Sequence, residues 1–267
     1  MSPATMSQPD YSNLLSVTHV GAVAQVKITR PEKRNAINTE LVMAINACFE
    51  SMPESVKAIV LHGEGDHFCA GLDLSEVSAM SVPESVLHSR RWHAAFEHIQ
   101  FGRAPVIAVL HGAVVGGGFE LASAAHIRIA EPSAFYALPE GKRGLFVGGG
   151  GSVRISRLIG VHRMTDLMLT GRVLNAQEGH DIGISQYSVG NGEGLAKAME
   201  LAESIATNAA MTNYGVMHML PRIADQNIQD GLATESLMAA VAQTDPATLD
   251  LLDQFLQGKK NKVQFKS

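Results

Sequence analysis

Strand-like and helix-like segments alternate through the first half of the chain, and this alternation limits the folds open to it. Residues 23–29 alternate apolar and polar side chains, as a half-buried strand does, and apolar residues at helical spacing follow Asn38, which we assign as an N-cap. The order then repeats, with strand-like runs at 58–61, 106–110 and 126–130 and a helical stretch at 84–100. We therefore predict an α/β protein whose parallel strands are covered by helices.

After Ser152 the strand signals fade, and the pattern becomes that of consecutive helices. We predict a flexible N-terminus over 1–15, an α/β core over 16–200 and a helical region over 201–267, with no linker that would separate the last part as an independent unit. Four glycines, 148–151, resemble a linker in composition. Apolar segments flank them closely, so we predict a tight backbone feature there rather than a hinge.

Composition excludes several classes of protein. Of the 267 residues 46% are hydrophobic and 18% charged, which permits a sizeable core, and the net charge of -5 argues against nucleic-acid binding through overall basicity. The apolar uncharged stretch 104–119 is shorter than the roughly 20 residues of a membrane helix. Two cysteines fit a reducing compartment, and residues 1–13 lack the basic residues of a signal or transit peptide. We expect a soluble, cytoplasmic protein.

The common cofactor and hydrolase motifs are missing from the sequence. The glycine run does not continue as a dinucleotide fingerprint, since Val153 and Arg154 stand where a glycine is needed, and no P-loop occurs. There is no H-E-x-x-H or G-x-S-x-G motif, and the eleven histidines show no metal-ligand spacing. We expect neither a metal nor a separate cofactor.

Two blocks of small residues, 67–74 and 111–122, carry the candidate chemistry. Each lies where a buried strand ends and a helix can begin, so free backbone amides can point at an anion. Two such amides that converge on one oxygen form an oxyanion hole. Glu120 follows the glycine triplet of the second block, and Glu140 lies twenty residues later between a proline and a glycine. Taken alone, Glu120 could equally be a helix-start carboxylate and Glu140 a loop residue.

Together these segments resemble the crotonase (enoyl-CoA hydratase/isomerase) superfamily. The matching motifs are RPEKRNA at 30–36, FCAGLDL at 68–74, the block at 116–122 and the LPE at 138–140 with its following glycines, and the resemblance covers roughly residues 15–260. It implies a spiral of ββα units with a helical trimerisation region, and therefore a homotrimer or a dimer of trimers. It also implies a thioester substrate on coenzyme A, which is then part of the substrate rather than a cofactor.

The resemblance implies a role for individual residues. Leu72 and Gly117 match the two oxyanion amides, and Glu120 and Glu140 match the paired glutamates of hydratases, with Glu120 deprotonating water and Glu140 supplying the proton to C2. The order within that pair stays open. The matching substrate or CoA contacts are Lys33, Arg34, Ala36, Ala70, Leu72, Asp73, Leu74 and Gly117. Lys33 and Arg34 are equally well explained as solvated, and the basic tail 258–266 as a frayed terminus.

The implied activity is syn addition of water to a 2-enoyl-CoA, with methylthioacryloyl-CoA or a short-chain enoyl-CoA as candidate substrates. Leu72 is bulkier than the usual alanine, and the segment 144–147 also departs from the usual pattern, so the acyl group stays open. Thioester hydrolysis and double-bond isomerisation are alternatives on the same site, and a non-catalytic acyl-CoA-binding protein is the alternative of another class. We interpret Cys69 as a small buried hydrophobe rather than a nucleophile.

Overall fold

The structure is a computed structural model that describes residues 13–76 and 80–258. The chain divides into two units, Met1–Glu203 and Ser204–Ser267. The predicted flexible N-terminus lies mostly outside the described residues, and so does all but the first residue of the basic tail.

The first unit is built on a six-stranded sheet. Its strands β2, β3, β4, β6 and β9 run parallel, while β1 pairs antiparallel with β2 at one edge. All five side chains of β4 are buried, as expected for a parallel strand covered on both faces. In sheet order the strands are β1 (Leu15–Val20), β2 (Val23–Ile28), β3 (Ala58–Gly63), β4 (Val106–Leu110), β6 (Ile127–Ala130) and β9 (Tyr187–Ser188).

A second, three-stranded sheet lies in the same unit. Its order is β5 (Ala113–Val115), β7 (Phe135–Ala137) and β8 (Val173–Asn175), with β5 and β7 parallel and β8 antiparallel to β7. Strands β4 and β5 are followed directly by a helix, which makes one ββα unit of the kind that the resemblance implies. The helices of this unit are α1 (Thr39–Glu50), α2 (Val82–Gln100), α3 (Gly117–Ala124), α4 (Gly151–Ile159), α5 (Val161–Thr170), α6 (Ala176–Asp181) and α7 (Gly194–Ala206).

Local sequence signals explain the helix boundaries. The Asn38 side chain accepts a hydrogen bond from the Leu41 amide at 2.9 Å and so caps α1, as predicted. Ser81 and Glu84 form a capping box at the start of α2. Gly171 ends α5 in a left-handed conformation with φ 69°, which a glycine adopts without steric cost.

The expectation that strands end before Ser152 was wrong. Strands β8 and β9 lie beyond that point, and they were missed because they have three and two residues, too few for the alternation of a strand to be visible. Strand β1 was missed as well. Four of its six side chains are exposed, so it carries little apolar pattern.

The second unit is helical, as predicted. It contains α8 (Ala210–Tyr214), a π turn (Gly215–Met219), α9 (Leu220–Ala224), α10 (Ile228–Thr244) and α11 (Pro246–Leu256). These helices expose many large apolar side chains, among them Ile228, Leu232, Leu237, Val241 and Leu256. Across the described ranges 13–76 and 80–258, no helix is both long and apolar enough to cross a membrane.

Candidate active site

A cavity of about 270 Å³ lies in the first unit at the end of strand β5 and the start of helix α3. The two small-residue blocks form one wall, α2 a second, and the segment 140–149 the rest. Both predicted glutamates and both predicted oxyanion residues line it. The structure therefore brings together four residues that are spread over 69 positions of sequence, from Leu72 to Glu140.

The first block is held in an extended conformation that directs the Leu72 amide. Ile37 and Leu72 form a parallel bridge, in which the Ile37 amide donates to the Gly71 carbonyl at 2.7 Å and the Asp73 amide to the Ile37 carbonyl at 2.9 Å. Because successive amides of an extended segment point to opposite sides, the Leu72 amide points away from Ile37. A Cβ placed on Gly117 would lie 3.4 Å from the Leu72 nitrogen, so Gly117 lies on that side.

The second block supplies the Gly117 amide. Gly117 is the first residue of α3, and the first amides of a helix have no partner within it. The approach of the two blocks demands glycine. A Cβ on Gly118 would clash with the Cys69 carbonyl, and one on Gly117 would lie 2.7 Å from the indole of Trp92. The two amides thus lie close together at one wall of the cavity, as an oxyanion hole requires.

Glu120 lies on the first turn of α3 and is only 3% exposed. Its Oε1 accepts hydrogen bonds of 2.8 Å from both the Gly149 and the Gly151 amides. Burial raises the pKa of Glu120 to about 7 against the lowering effect of those two amides, and the charge of Glu140 adds to the rise. Since both donors bind Oε1, Oε2 is the oxygen that is left for water or substrate.

The four glycines at 148–151 are the tight backbone feature that the sequence predicted. A Cβ on Gly149 would lie 3.0 Å from the Trp92 ring and 3.1 Å from Glu120 Oε2, and one on Gly151 would lie 2.8 Å from the Glu120 Cγ. Gly151 is the first residue of α4, so the carboxylate also lies at the positive end of a helix. Glycine at these positions lets the backbone contact Glu120 directly.

Glu140 lies in a 3₁₀ turn, Pro139–Arg143, on another wall of the cavity. Its Oε2 is buried and has no hydrogen-bond partner within the part of the chain that the structure describes. Burial raises the pKa of Glu140, while its own backbone amide and the charge of Arg143 lower it. A Cβ on Gly116 would lie 2.7 Å from Glu140 Oε1, which places this carboxyl beside the glycine triplet.

The segment 30–36 supports the first block from outside. The partly buried Arg30 guanidinium contacts Asp73 Oδ2 at 3.1 Å and donates to the Ala36 carbonyl, and the Arg34 carbonyl accepts from the Ala70 amide at 3.0 Å. Asn35, fully buried with φ 56°, donates to the carbonyls of Glu64 and His67. These contacts fix the backbone that presents the Leu72 amide, and no local pattern indicates the pairing of Arg30 with Asp73, which are 43 positions apart.

The predicted substrate contacts separate into two groups. Ala70, Leu72, Leu74 and Gly117 line the cavity, whereas Lys33, Arg34, Ala36 and Asp73 do not. Both oxygens of Asp73 have protein partners, Arg30 on Oδ2 and Ser75 on Oδ1 at 2.6 Å. Lys33 and Arg34 are exposed. The contact roles of these eight residues stay predictions.

The residues of the site that were not foreseen include Ser89 and Trp92 on α2, and Arg154, which contacts the Gly149 carbonyl. Trp92 and Ser89 line the cavity with Ser85 and His88, at the i, i+3, i+4 and i+7 spacing of one face of α2. That spacing was the available signal. Burial raises the pKa of the Cys69 thiol to about 12, in keeping with the buried, unreactive cysteine that we expected. Among the described residues, no group of histidine, cysteine and acidic side chains could hold a metal ion.

Comparison with known proteins places this geometry in context. The model of the enoyl-CoA hydratase/isomerase family matches residues 18–265. The short-chain-enoyl-CoA hydratase of Clostridium acetobutylicum is 30% identical over 250 residues, which are 91% of this chain and 96% of that protein. The solved structure of a "putative enoyl-CoA hydratase" from Rhodopseudomonas palustris is 54% identical, with a TM-score of 0.90 over 92% of this chain and 95% of the other. An enoyl-CoA hydratase structure from Bacillus anthracis is 28% identical, with a TM-score of 0.86 over 92% and 96% of the two chains.

Proposed function

The chain belongs to the enoyl-CoA hydratase/isomerase family, and we propose that it is a hydratase that adds water across the double bond of a 2-enoyl-CoA thioester. One observation carries the proposal: Glu120, Glu140 and the amides of Leu72 and Gly117 line a single cavity. Hydration needs a group that takes a proton from water, a group that gives a proton to C2 and a donor pair for the thioester oxygen. The cavity holds all three.

The two amides bind the thioester oxygen. As water attacks C3, electrons shift through C2 to this oxygen, and fixed N–H donors stabilise the negative charge that forms there. Removal of one such donor typically costs ~10²–10³ in rate. Because the donors belong to the main chain, the leucine side chain at position 72 is free to shape the acyl pocket instead.

Glu120 activates the water. Its Oε1 is held by Gly149 and Gly151, so Oε2 accepts the hydrogen bond from water and then its proton. The water oxygen bonds to C3, the C2–C3 π electrons move toward the thioester, and Glu140 delivers a proton to C2. The buried Oε2 of Glu140, which has no hydrogen-bond partner among the described residues, is suited to carry that proton. The charge of Glu140 raises the pKa of Glu120, so Glu120 holds a proton more readily while Glu140 is ionised.

A short acyl group suits the volume of the cavity. At about 270 Å³ it lies near the lower end of the roughly 300–1,000 Å³ that small-molecule sites usually have. The matched Clostridium protein is named for short-chain substrates, which supports the same class here. Methylthioacryloyl-CoA belongs to this class, and the exposed Leu74, Leu145 and Phe146 at the cavity provide apolar surface for such a chain.

The coenzyme A part and the assembly complete the proposal. Exposed Lys33 and Arg34 provide positive charge for phosphates. We propose a homotrimer or a dimer of trimers, since the second unit exposes apolar residues on α10 and α11 that a second copy would cover. No nucleic acid or membrane enters this scheme.

A panel of 2-enoyl-CoA thioesters, with products identified by mass, tests the activity. Hydration gives a product 18 Da heavier with coenzyme A retained. Release of free coenzyme A would instead indicate hydrolysis, and a product of unchanged mass would indicate isomerisation. Binding without turnover of any thioester would assign the chain to non-catalytic acyl-CoA-binding proteins.

A further inference from the structure

The four glycines 148–151, here called the glycine strap, have an outer side as well as the side that holds Glu120. On the inner side, the Gly149 and Gly151 amides donate to Glu120 Oε1. These two bonds decide where the carboxylate lies. Whatever fixes the strap from outside therefore also fixes the carboxylate.

Arg154 holds the middle of the strap from outside. Its Nη1 donates to the Gly149 carbonyl at 3.1 Å, and its Nε donates to Gln100 Oε1 on α2 at 2.6 Å. Gly150 leaves room for this contact, because a Cβ there would clash with the guanidinium, and its φ of 99° disfavours any side chain. The placement of the Gly149 carbonyl and the need for glycine at position 150 thus both depend on the position of Arg154.

Ser89 holds the beginning of the strap. Its hydroxyl donates to the Gly148 carbonyl at 2.6 Å from the middle of α2. Trp92, one turn further along α2, packs its ring against Gly149. Helix α2 and Arg154 therefore contact consecutive peptides of the strap.

We propose that Arg154 is a positioning residue, which acts through the Gly149–Gly150 peptide, between the two peptides that donate to Glu120, to keep this carboxylate in place for water activation. The proposal rests on the function proposed above. The guanidinium contributes both geometry, through its two hydrogen bonds, and charge. These two contributions can be separated by substitution.

The charged groups around this pair are few. Glu120 on α3 is influenced by Glu140 and Arg154, and Arg154 on α4 by Glu97 and His93 of α2 as well as by Glu120. The positive charge of Arg154 lowers the pKa of Glu120. Loss of that charge therefore shifts the ionisation of Glu120 to higher pH.

Replacement of Arg154 by methionine keeps the aliphatic part of the side chain and removes both the hydrogen bonds and the positive charge. We expect kcat for hydration to fall about 10- to 100-fold, as for a misplaced catalytic group, while KM changes less than about twofold. The rising limb of kcat against pH should move to higher pH. Arg154→Lys keeps the positive charge but not the two hydrogen bonds of the guanidinium. The rising limb of kcat against pH should therefore return to its wild-type position, while kcat itself should stay low.

A control and an independent readout accompany the assay. Arg157→Met removes an exposed guanidinium from the same helix and should leave kcat and the pH limb unchanged. The free energy of unfolding is measured at pH 5 and pH 8 with and without Glu120→Gln. The comparison is made once in the wild-type protein and once in the Arg154→Met variant. The stabilisation by glutamine at pH 8 should be larger in the second background. This readout needs no turnover, so it tests the influence of Arg154 on Glu120 even if hydration is not the activity.

Arg154→Met that folds with wild-type kcat and an unchanged pH limb would overturn the proposal. A change in KM without a change in kcat would also overturn it. So would an equal stabilisation by Glu120→Gln in the wild-type and the Arg154→Met backgrounds. If Arg154→Met does not fold, Gln100→Leu removes only the acceptor of the Nε–H bond. It should lower kcat by a smaller factor in the same direction, and an unaltered kcat would again contradict the role of Arg154.

Discussion

Substitution of Glu120 by glutamine should stabilise the protein, and the gain should depend on pH. Burial raises the pKa of Glu120 from 4.5 to about 7 in the folded chain, and unfolding returns the carboxyl to its ordinary range. Between these values the folded state binds more protons than the unfolded state. The contribution of Glu120 to the free energy of unfolding is therefore fully present below about pH 4.5 and is lost as the pH rises through 7.

The size of this effect follows from the shift. Each pKa unit corresponds to about 1.4 kcal/mol, so ionisation of Glu120 costs the folded state up to about 3 kcal/mol at pH 8. Glutamine has the same shape, and its Oε1 can accept from the same two amides without a charge. We expect Glu120→Gln to match the wild type near pH 4.5 and to exceed it by up to about 3 kcal/mol at pH 8.

Urea unfolding at pH 5, 6, 7 and 8 measures this difference directly. Glu203→Gln, an exposed carboxyl on α7, serves as a control for the same chemical change and should show a difference that does not vary with pH. A Glu120→Gln difference that stays constant from pH 5 to 8 would mean that Glu120 ionises as an exposed glutamate does. The assignment of Glu120 as a buried carboxyl with a raised pKa would then be wrong.

The remaining predictions concern the reaction and the assembly. Leu72→Ala should keep most activity because the oxyanion donor is main chain, whereas Leu72→Pro, which removes that N–H, should lower kcat at least ~10²-fold in folded protein; equal mild losses would contradict the assignment. Glu140→Gln should lower kcat by ~10²–10⁴ and abolish exchange of the C2 proton of a saturated acyl-CoA in D₂O, and full exchange would exclude Glu140 as the acid. For the wild type, kcat should rise with pH through about 7 as Glu120 ionises, and a flat profile would count against Glu120 as the base. Sedimentation equilibrium should give a trimer or hexamer, while a 28.5 kDa monomer at micromolar concentration would refute the proposed assembly.

Much of the fold was visible in short-range pattern. The Asn38 cap and the strand at 106–110 each depend on a few neighbouring residues, and both were predicted correctly. The placement of Glu120 after the glycine triplet is equally local. Residues that act within one turn or one strand leave a signal that a single sequence can show.

The supporting contacts of the site were not visible, because they join distant segments. Arg30 and Asp73 pair across 43 positions, and Arg154 reaches Gln100 across 54. Such pairs exist only once the strands are in register, and no local propensity encodes them. The glycine strap is intermediate: its composition indicated a tight turn, but only the structure identifies Glu120 as the group it binds.

Incubation of a short-chain 2-enoyl-CoA in H₂¹⁸O with the wild type, Glu120→Gln and Glu140→Gln tests the two-glutamate mechanism most directly. The wild type should give a product 20 Da heavier with coenzyme A retained, and each variant should form it at least ~10²-fold more slowly while still binding the thioester. Free coenzyme A with ¹⁸O in the released acid, or labelled product formed by either variant at the wild-type rate, would contradict it.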